Sequence, residues 1–301
     1  MDLSVDLAGI KMKNPVMVAS GTFAYGREYS EILDLSKLGA VVTKAITLKE
    51  RKGNPPPRIC ETPSGILNSI GLQNKGVVRF LREDLPFLRG FDVPVIVNVA
   101  GDDIGEYVTV SRKLSEAKVD GVELNISCPN VARGGIIFGT DAAAVAEVVS
   151  AVREAIDVPL IVKLSPNVTD ITEMASRAVD AGADVLSLIN TVVGMAIDTD
   201  SFKPELATIT GGLSGPAIRP IAVRMVWQVA QAVEVPIIGM GGIVKVRDAV
   251  EFLLAGATAI AVGTANFMNP SAALEIIEGL EGFLRGKEYR SIREIVGRVR
   301  M

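Results

Sequence analysis

Apolar β-branched runs recur along the chain, each closing on a small or polar residue and each followed by a helix-like segment. They are Val16-Met17-Val18-Ala19-Ser20, Val41-Val42-Thr43-Lys44-Ala45, Val95-Ile96-Val97-Asn98-Val99 and Val122-Glu123-Leu124-Asn125-Ile126. Further on come Leu160-Ile161-Val162-Lys163-Leu164, residues 185–190, Ile237-Ile238-Gly239-Met240 and Ala259-Ile260-Ala261-Val262-Gly263. Near-continuous apolar strands alternating with helices predict a parallel sheet covered on its outer face. Between them, Ala143, Val145, Val148, Val149 and Val152 repeat at helical spacing, as do Ala222, Met225, Val226 and Val229. Eight strand–helix units favour an α/β fold of the closed (β/α)8 TIM-barrel type over an open doubly wound sheet. Residues 3–12 read as an N-terminal β-hairpin across the barrel's bottom. The connections 46–92 and 191–234 exceed a plain crossover and read as insertions at the C-terminal face, where this fold builds its sites. With no linker or low-complexity stretch, residues 1–301 are expected to form one domain.

Composition narrows the chemistry. Hydrophobic residues make up 49% of the 301, yet no apolar run approaches the ~20 residues needed to span a bilayer. The first residues lack the basic and apolar regions of a secretion signal, so a cytoplasmic protein with no membrane partner is expected. A net charge of −4 argues against nucleic acid as a partner. There is no histidine, and Cys60 and Cys128 are the two cysteines. Two thiols cannot supply the four ligands of a conventional iron–sulfur cluster or of an all-cysteine zinc site, so no metal is expected on this chain. Proton chemistry is left to Cys, Lys, Tyr, Asp or Glu.

Ser20, Lys44, Asn98, Asn125, Lys163 and Asn190 stand at strand C-terminal ends. A polar residue there is ordinarily just the start of a loop. Two lysines in apolar runs are less easily explained, because a buried lysine is costly without an anion or polar ligand. After the seventh strand comes Gly239-Met240-Gly241-Gly242, and after the eighth Gly263-Thr264-Ala265. Glycines let backbone N–H groups approach phosphate, and TIM barrels commonly hold phosphate after these two strands. No Gly-x-Gly-x-x-Gly opens a helix after the first strand, so there is no dinucleotide fingerprint. Cys128 lies just past the fourth strand, before Pro129 and a glycine-containing segment able to hinge a lid. A lone cysteine is most often a buried hydrophobe, and that structural reading is the one given to Cys60.

Thr43-Lys44-Ala45, the motif Asn68-Ser69-Ile70-Gly71-Leu72-Gln73-Asn74, the motif Asn125-Ile126-Ser127-Cys128-Pro129-Asn130 and Gly241-Gly242 resemble class 1 dihydroorotate dehydrogenases nearly from end to end. Cys128 and the short N-terminus set the chain apart from the membrane-associated class 2, whose base is serine. Residues 53–58 through Gln73 are more similar to the NAD-linked 1B catalytic subunit than to the fumarate-using 1A type. The resemblance implies FMN bound by Ser20, Lys44, Ala45, Asn98, Asn125, Lys163, Ile189, Gly215, Gly241, Gly242, Gly263 and Thr264. It implies orotate held by Lys44, Asn68, Ser69, Ile70, Gly71, Leu72, Asn125, Asn190 and Thr191. Amides that both donate and accept suit a planar pyrimidine.

The reaction so implied removes a proton from C5 of dihydroorotate and a hydride from C6. Cys128 takes the proton, N5 of FMN takes the hydride, and Lys163 stabilises negative charge on the flavin, with Lys44 the third catalytic candidate. A 1B-like chain would form a homodimer and join an FAD and iron–sulfur subunit in a heterotetramer that reaches NAD. A fumarate-linked enzyme, an FMN barrel acting on another pyrimidine, and a non-catalytic barrel are the competing readings.

Overall fold

A computed structural model describes residues 1–126 and 139–300. Eight parallel strands close into a barrel: β1 (Val16–Val18), β2 (Ala40–Val42), β3 (Val95–Val99), β4 (Gly121–Asn125), β5 (Leu160–Lys163), β6 (Val185–Leu188), β7 (Ile237–Met240) and β8 (Ala259–Val262). They pair in chain order, and β8 returns to β1 through Ile260↔Val16, Ala261↔Met17 and Val262↔Val18. Every residue of these strands is buried. One face meets the barrel interior and the other the helices, which is why the runs read as continuously apolar. The predicted (β/α)8 barrel is therefore the observed fold.

The outer helices are α1 (Ile104–Glu116), α2 (Ala142–Arg153), α3 (Ile171–Asp180), α4 (Arg219–Ala230), α5 (Val246–Ala255) and α6 (Ala272–Gly286). Asp103, Asp141 and Asp170 cap the first three, each side chain accepting a backbone N–H from the first turn. The buried positions repeat at three and four, as at Val145, Val148, Val149 and Val152 of α2 and Ala222, Met225, Val226 and Val229 of α4. Short helical turns at Arg27–Ser30 and Leu35–Lys37 follow β1. A helical segment over 77–88, including one π turn at Phe80–Asp84, precedes β3.

The predicted hairpin is present as Val5–Leu7 and Ile10–Met12. Its Ile10 side chain occupies the space a Cβ on Gly121 would need at the first residue of β4, so it closes the barrel's N-terminal end. The two long connections do more than extend the C-terminal face, because they pair with each other. Ile59–Thr62 and Gly65–Asn68 come from the first, Val192–Met195 and Thr210–Ser214 from the second, and together they form one four-stranded antiparallel sheet. The join is Asn68↔Gly212, Leu67↔Leu213 and Ile66↔Ser214. This sheet fixes one wall of the barrel's mouth.

Candidate active site

Where the strand ends meet the joined insertions lies a cavity of about 490 Å3, within the range typical of cofactor and small-molecule sites. Ser20, Lys44, Ala45, Asn125, Lys163, Ile189 and Asn190 line it from the strand ends. Asn68, Ile70, Gly71, Leu72 and Thr191 come from the insertions, and Gly215, Gly241, Gly242, Gly263 and Thr264 close the far end. Two of the residues implied by resemblance do not line it. Asn98 is fully buried inside the barrel, and Ser69 is fully buried behind the insertion with its N–H donating to the Arg58 carbonyl. Cys128 and all but the last residue of the lid expected over residues 131–139 lie outside the described residues.

The barrel supplies the polar floor. Lys163, at the end of β5, is 5% exposed, and its Nζ lies 3.4 Å from Ser20 Oγ. It pairs in register with Asn125 on one side and Ser187 on the other. Asn190 Nδ2 donates to Asn125 Oδ1 at 3.3 Å, linking the amides at the ends of β4 and β6. Tyr107 of α1 reaches through from the helix layer to donate its hydroxyl to the Asn125 carbonyl at 2.9 Å. On the opposite wall, Asn68 Nδ2 donates to the Gly212 carbonyl at 3.3 Å across the sheet that joins the insertions.

Asn74, the last residue of the Asn68-to-Asn74 motif, has a different place. Its Oδ1 accepts the N–H groups of Thr47 and Gly76, and its Nδ2 donates to Thr47 Oγ1 and the Leu72 carbonyl. It pins the loop that presents residues 70–72. Gly71 and Leu72 both take left-handed conformations, with φ of 74° and 55°, and a Cβ on Gly71 would stand 2.6 Å from Asn54. The loop thus passes close under Asn54 on its way to the cavity.

The glycine end is shaped by close approach. Gly242 has φ 72°, and a Cβ there would lie 2.7 Å from the Gly215 carbonyl and 2.9 Å from Arg219 Cβ. Thr264 Oγ1 donates to Ser214 Oγ at 2.8 Å, tying the β8 loop to the second insertion. Behind it, Asp248 of α5 pairs with Arg219 and accepts the N–H groups of Val244 and Lys245 at 3.0 Å each, which anchors the loop after β7. Backbone N–H groups held this way suit a phosphate.

Among the described residues, the charged side chains lining the cavity are Lys44, Arg58 and Lys163 and the single acid Glu28. Lys44 and Lys163 flank it, and Arg58 of the first insertion joins them in the wall. Burial, with the Arg58 charge nearby, pulls the Lys44 pKa below its ordinary value. Arg58, Tyr29, Ser214 and Phe267 also line the cavity. None stands at the end of a barrel strand, so a reading of barrel-strand ends gives no reason to select them. Glu123 does carry a signal, an ion inside an apolar run like the two lysines. It lies mid-strand, where a reading confined to strand ends passes over it.

The dihydroorotate dehydrogenase family model matches residues 2–284. The chain is 60% identical over 297 residues to the dihydroorotate dehydrogenase B (NAD(+)), catalytic subunit, of Geotalea uraniireducens, covering 98% of this chain and 97% of that one. A relative of the same name from Geotalea daltonii is 58% identical over 301 residues, with 100% and 99% covered. One from Caldicellulosiruptor bescii is 54% identical over 299 residues, with 99% of each covered.

Proposed function

This chain belongs to the dihydroorotate dehydrogenase family, and from that premise we propose that it oxidises dihydroorotate to orotate with bound FMN, passing the electrons to NAD through a partner subunit. The observation that carries the site assignment is convergence. Lys44, Asn68, Asn125, Lys163 and Asn190 come from five separate parts of the chain and face one cavity, whose far end is built of glycines after β7 and β8.

The residues present fit FMN. A lysine buried to 5% exposure, with a long contact to Ser20 as its one hydrogen bond among the described residues, suits an electron-rich ring edge. The Gly241–Gly242 and Gly263–Thr264 turns offer backbone donors without Cβ atoms in the way. When bound, FMN supplies N5 as the hydride acceptor for C6 of dihydroorotate. The amides of Asn68, Asn125 and Asn190 hold the pyrimidine by accepting its N–H groups and donating to its carbonyls. Lys44 meets the substrate carboxylate or the flavin oxygens, and Lys163 keeps positive charge where negative charge develops. Cys128 is assigned the C5 proton. A free thiol has pKa near 8.5, so thiolate is a minority species at neutral pH and the rate of proton removal should climb with pH.

Anaerobic addition of dihydroorotate to the purified yellow protein tests this reading through visible absorbance. Rapid bleaching is expected. A flavin that stays yellow would point to a different pyrimidine, and a colourless chain unable to take up FMN would end the proposal. Cys128→Ala should retain FMN and lose at least ~100-fold in the bleaching rate, the usual scale of a general base. Undiminished bleaching in that variant at neutral pH would remove Cys128 from the mechanism.

A further inference from the structure

We infer that Arg58 is a specificity-determining residue, whose guanidinium receives the carboxylate at C6 of the substrate and so selects an acidic dihydropyrimidine over a neutral one. The inference rests on the functional reading above and concerns which ring that site accepts.

Arg58 immediately precedes the first strand of the first insertion, Ile59–Thr62. Ile59 stands opposite Asn68 in that sheet, and the Arg58 carbonyl accepts the N–H of Ser69 at 2.8 Å. Asn54 clasps the same motif, its N–H donating to the Ile70 carbonyl and its Nδ2 to the Ser69 carbonyl, both at 3.0 Å. Arg58 is thereby fixed beside the segment 68–72 assigned to the pyrimidine. It is half-buried and lines the cavity together with Asn68, Ile70 and Leu72.

The guanidinium is held by neutral groups. Its Nη1 donates to Gln73 Oε1 at 3.1 Å and to the Asn54 carbonyl at 3.5 Å. These acceptors orient the group without neutralising it. Among the described residues Nε and Nη2 make no hydrogen bond. Together they form an edge able to grip a carboxylate through two parallel N–H bonds. Lys44 shares the wall and lies near enough for the Arg58 charge to loosen its proton. No ion pair among the described residues includes either cation, so Glu28, the single acid lining the cavity, pairs with neither. Neighbouring cations without an anion repel each other, and a ligand carboxylate relieves that repulsion.

Dihydroorotate carries one full charge at neutral pH, on the carboxylate of the carbon that loses the hydride. Its ring offers neutral donors and acceptors, which suit the amides of Asn68, Asn125 and Asn190. Those amides would satisfy a ring without the carboxylate equally well. Arg58 is the residue in the substrate wall that tells the two apart.

The test measures ligand binding to the FMN-loaded protein through the perturbation of flavin absorbance. The ligands are orotate and its methyl ester, which keeps the ring and removes the charge. The wild-type protein is expected to prefer orotate. Arg58→Met should weaken orotate about 10- to 100-fold, the scale of a hydrogen bond to a charged group, and leave the methyl ester nearly unchanged. Arg58→Lys keeps the charge without the fork and should fall between. If Arg58→Met does not retain FMN, Arg58→Gln removes the charge while keeping an N–H donor for Gln73, and the same result is expected of it. Equal losses for the two ligands would show that Arg58 only braces the insertion, and an unchanged orotate affinity would remove it from the site. Either result overturns the proposal. A wild-type FMN-loaded protein that binds no orotate would instead overturn the functional reading on which it rests.

Discussion

At the scale of single residues, the cavity places ionisable groups where water is scarce, and this has a measurable thermodynamic signature. Burial and the nearby Arg58 charge hold the Lys44 pKa below the ordinary 10.5. In the unfolded chain this lysine keeps its proton up to about 10.5, whereas the folded chain releases it earlier. Below the folded value both states are charged and the cost of burying the cation is fully present. Between the folded value and 10.5 the unfolded state binds more protons, so this residue's contribution makes the fold more stable as pH rises. The stability gap between Lys44→Met and the wild-type protein, both without ligand, should therefore narrow through the alkaline window that ends near pH 10.5. Denaturant titrations of the pair at a series of pH values measure it, and a gap that stays flat across the window would show that Lys44 is not desolvated in the ligand-free state. Of the ions inside apolar runs, the two at strand ends are readily selected as site residues. Glu123 escapes because only the three-dimensional register shows that it meets Asn98 and Ser187.

At the scale of elements, what the sequence reveals depends on whether the determining contacts are local. The barrel strands are legible because both faces are buried, so each strand is an apolar run whatever its partner. The helices are legible because α2 and α4 repeat at three and four, and the hairpin at residues 3–12 is a local pairing. The union of the two insertions is not legible. Its antiparallel join brings residues 66–68 against 212–214, and pairing across that separation leaves no periodic mark on either segment. The same limit hides Arg58, which reaches the cavity only because its insertion folds back over the mouth. It also explains why Ser69 sits behind the wall while Asn68 and Ile70 line it, since alternate residues of an extended segment face opposite ways. The join itself can be probed. Gly212 opposes Asn68, accepts its Nδ2, and has no room for a Cβ, which would stand 2.6 Å from Thr191 Cβ and nearer still to its hydroxyl. Gly212→Ala should push the second insertion off the first and move Asn68 and Thr191 together. The expected result is a KM for dihydroorotate raised about tenfold or more, since small misplacements of binding groups carry large kinetic costs. FMN stoichiometry should hold, because Gly241, Gly242 and Gly263 belong to the barrel. An unchanged KM would mean that the joined sheet does not position the substrate residues.

At the scale of the whole molecule, the question is where the electrons go. The chain holds two cysteines and no histidine, and among the described residues no group of three or more His, Cys, Asp or Glu side chains is placed to hold a metal. Only Cys60 of the two lies within those residues. It is half-buried, with its pKa pushed up by burial and by Glu205 and Glu61, which disfavours the thiolate that metal and redox chemistry require. Nor does a glycine-rich dinucleotide turn follow β1. The cavity at the C-terminal strand ends is the site we assign to the flavin and the pyrimidine, and the nicotinamide cofactor is left to the partner subunit. The name shared by the relatives described above, a catalytic subunit of an NAD(+) enzyme, agrees with a division of labour between chains. The purified chain alone should thus bleach its flavin with dihydroorotate while reducing NAD at a negligible rate. Adding a partner subunit that carries FAD and an iron–sulfur cluster should raise NAD reduction by several orders of magnitude and leave the bleaching rate nearly unchanged. Stopped-flow absorbance at the flavin and NADH bands separates the two steps. Rapid NAD reduction by this chain alone would place the nicotinamide site within it, and full turnover with fumarate in place of any partner would assign it to the fumarate-linked type.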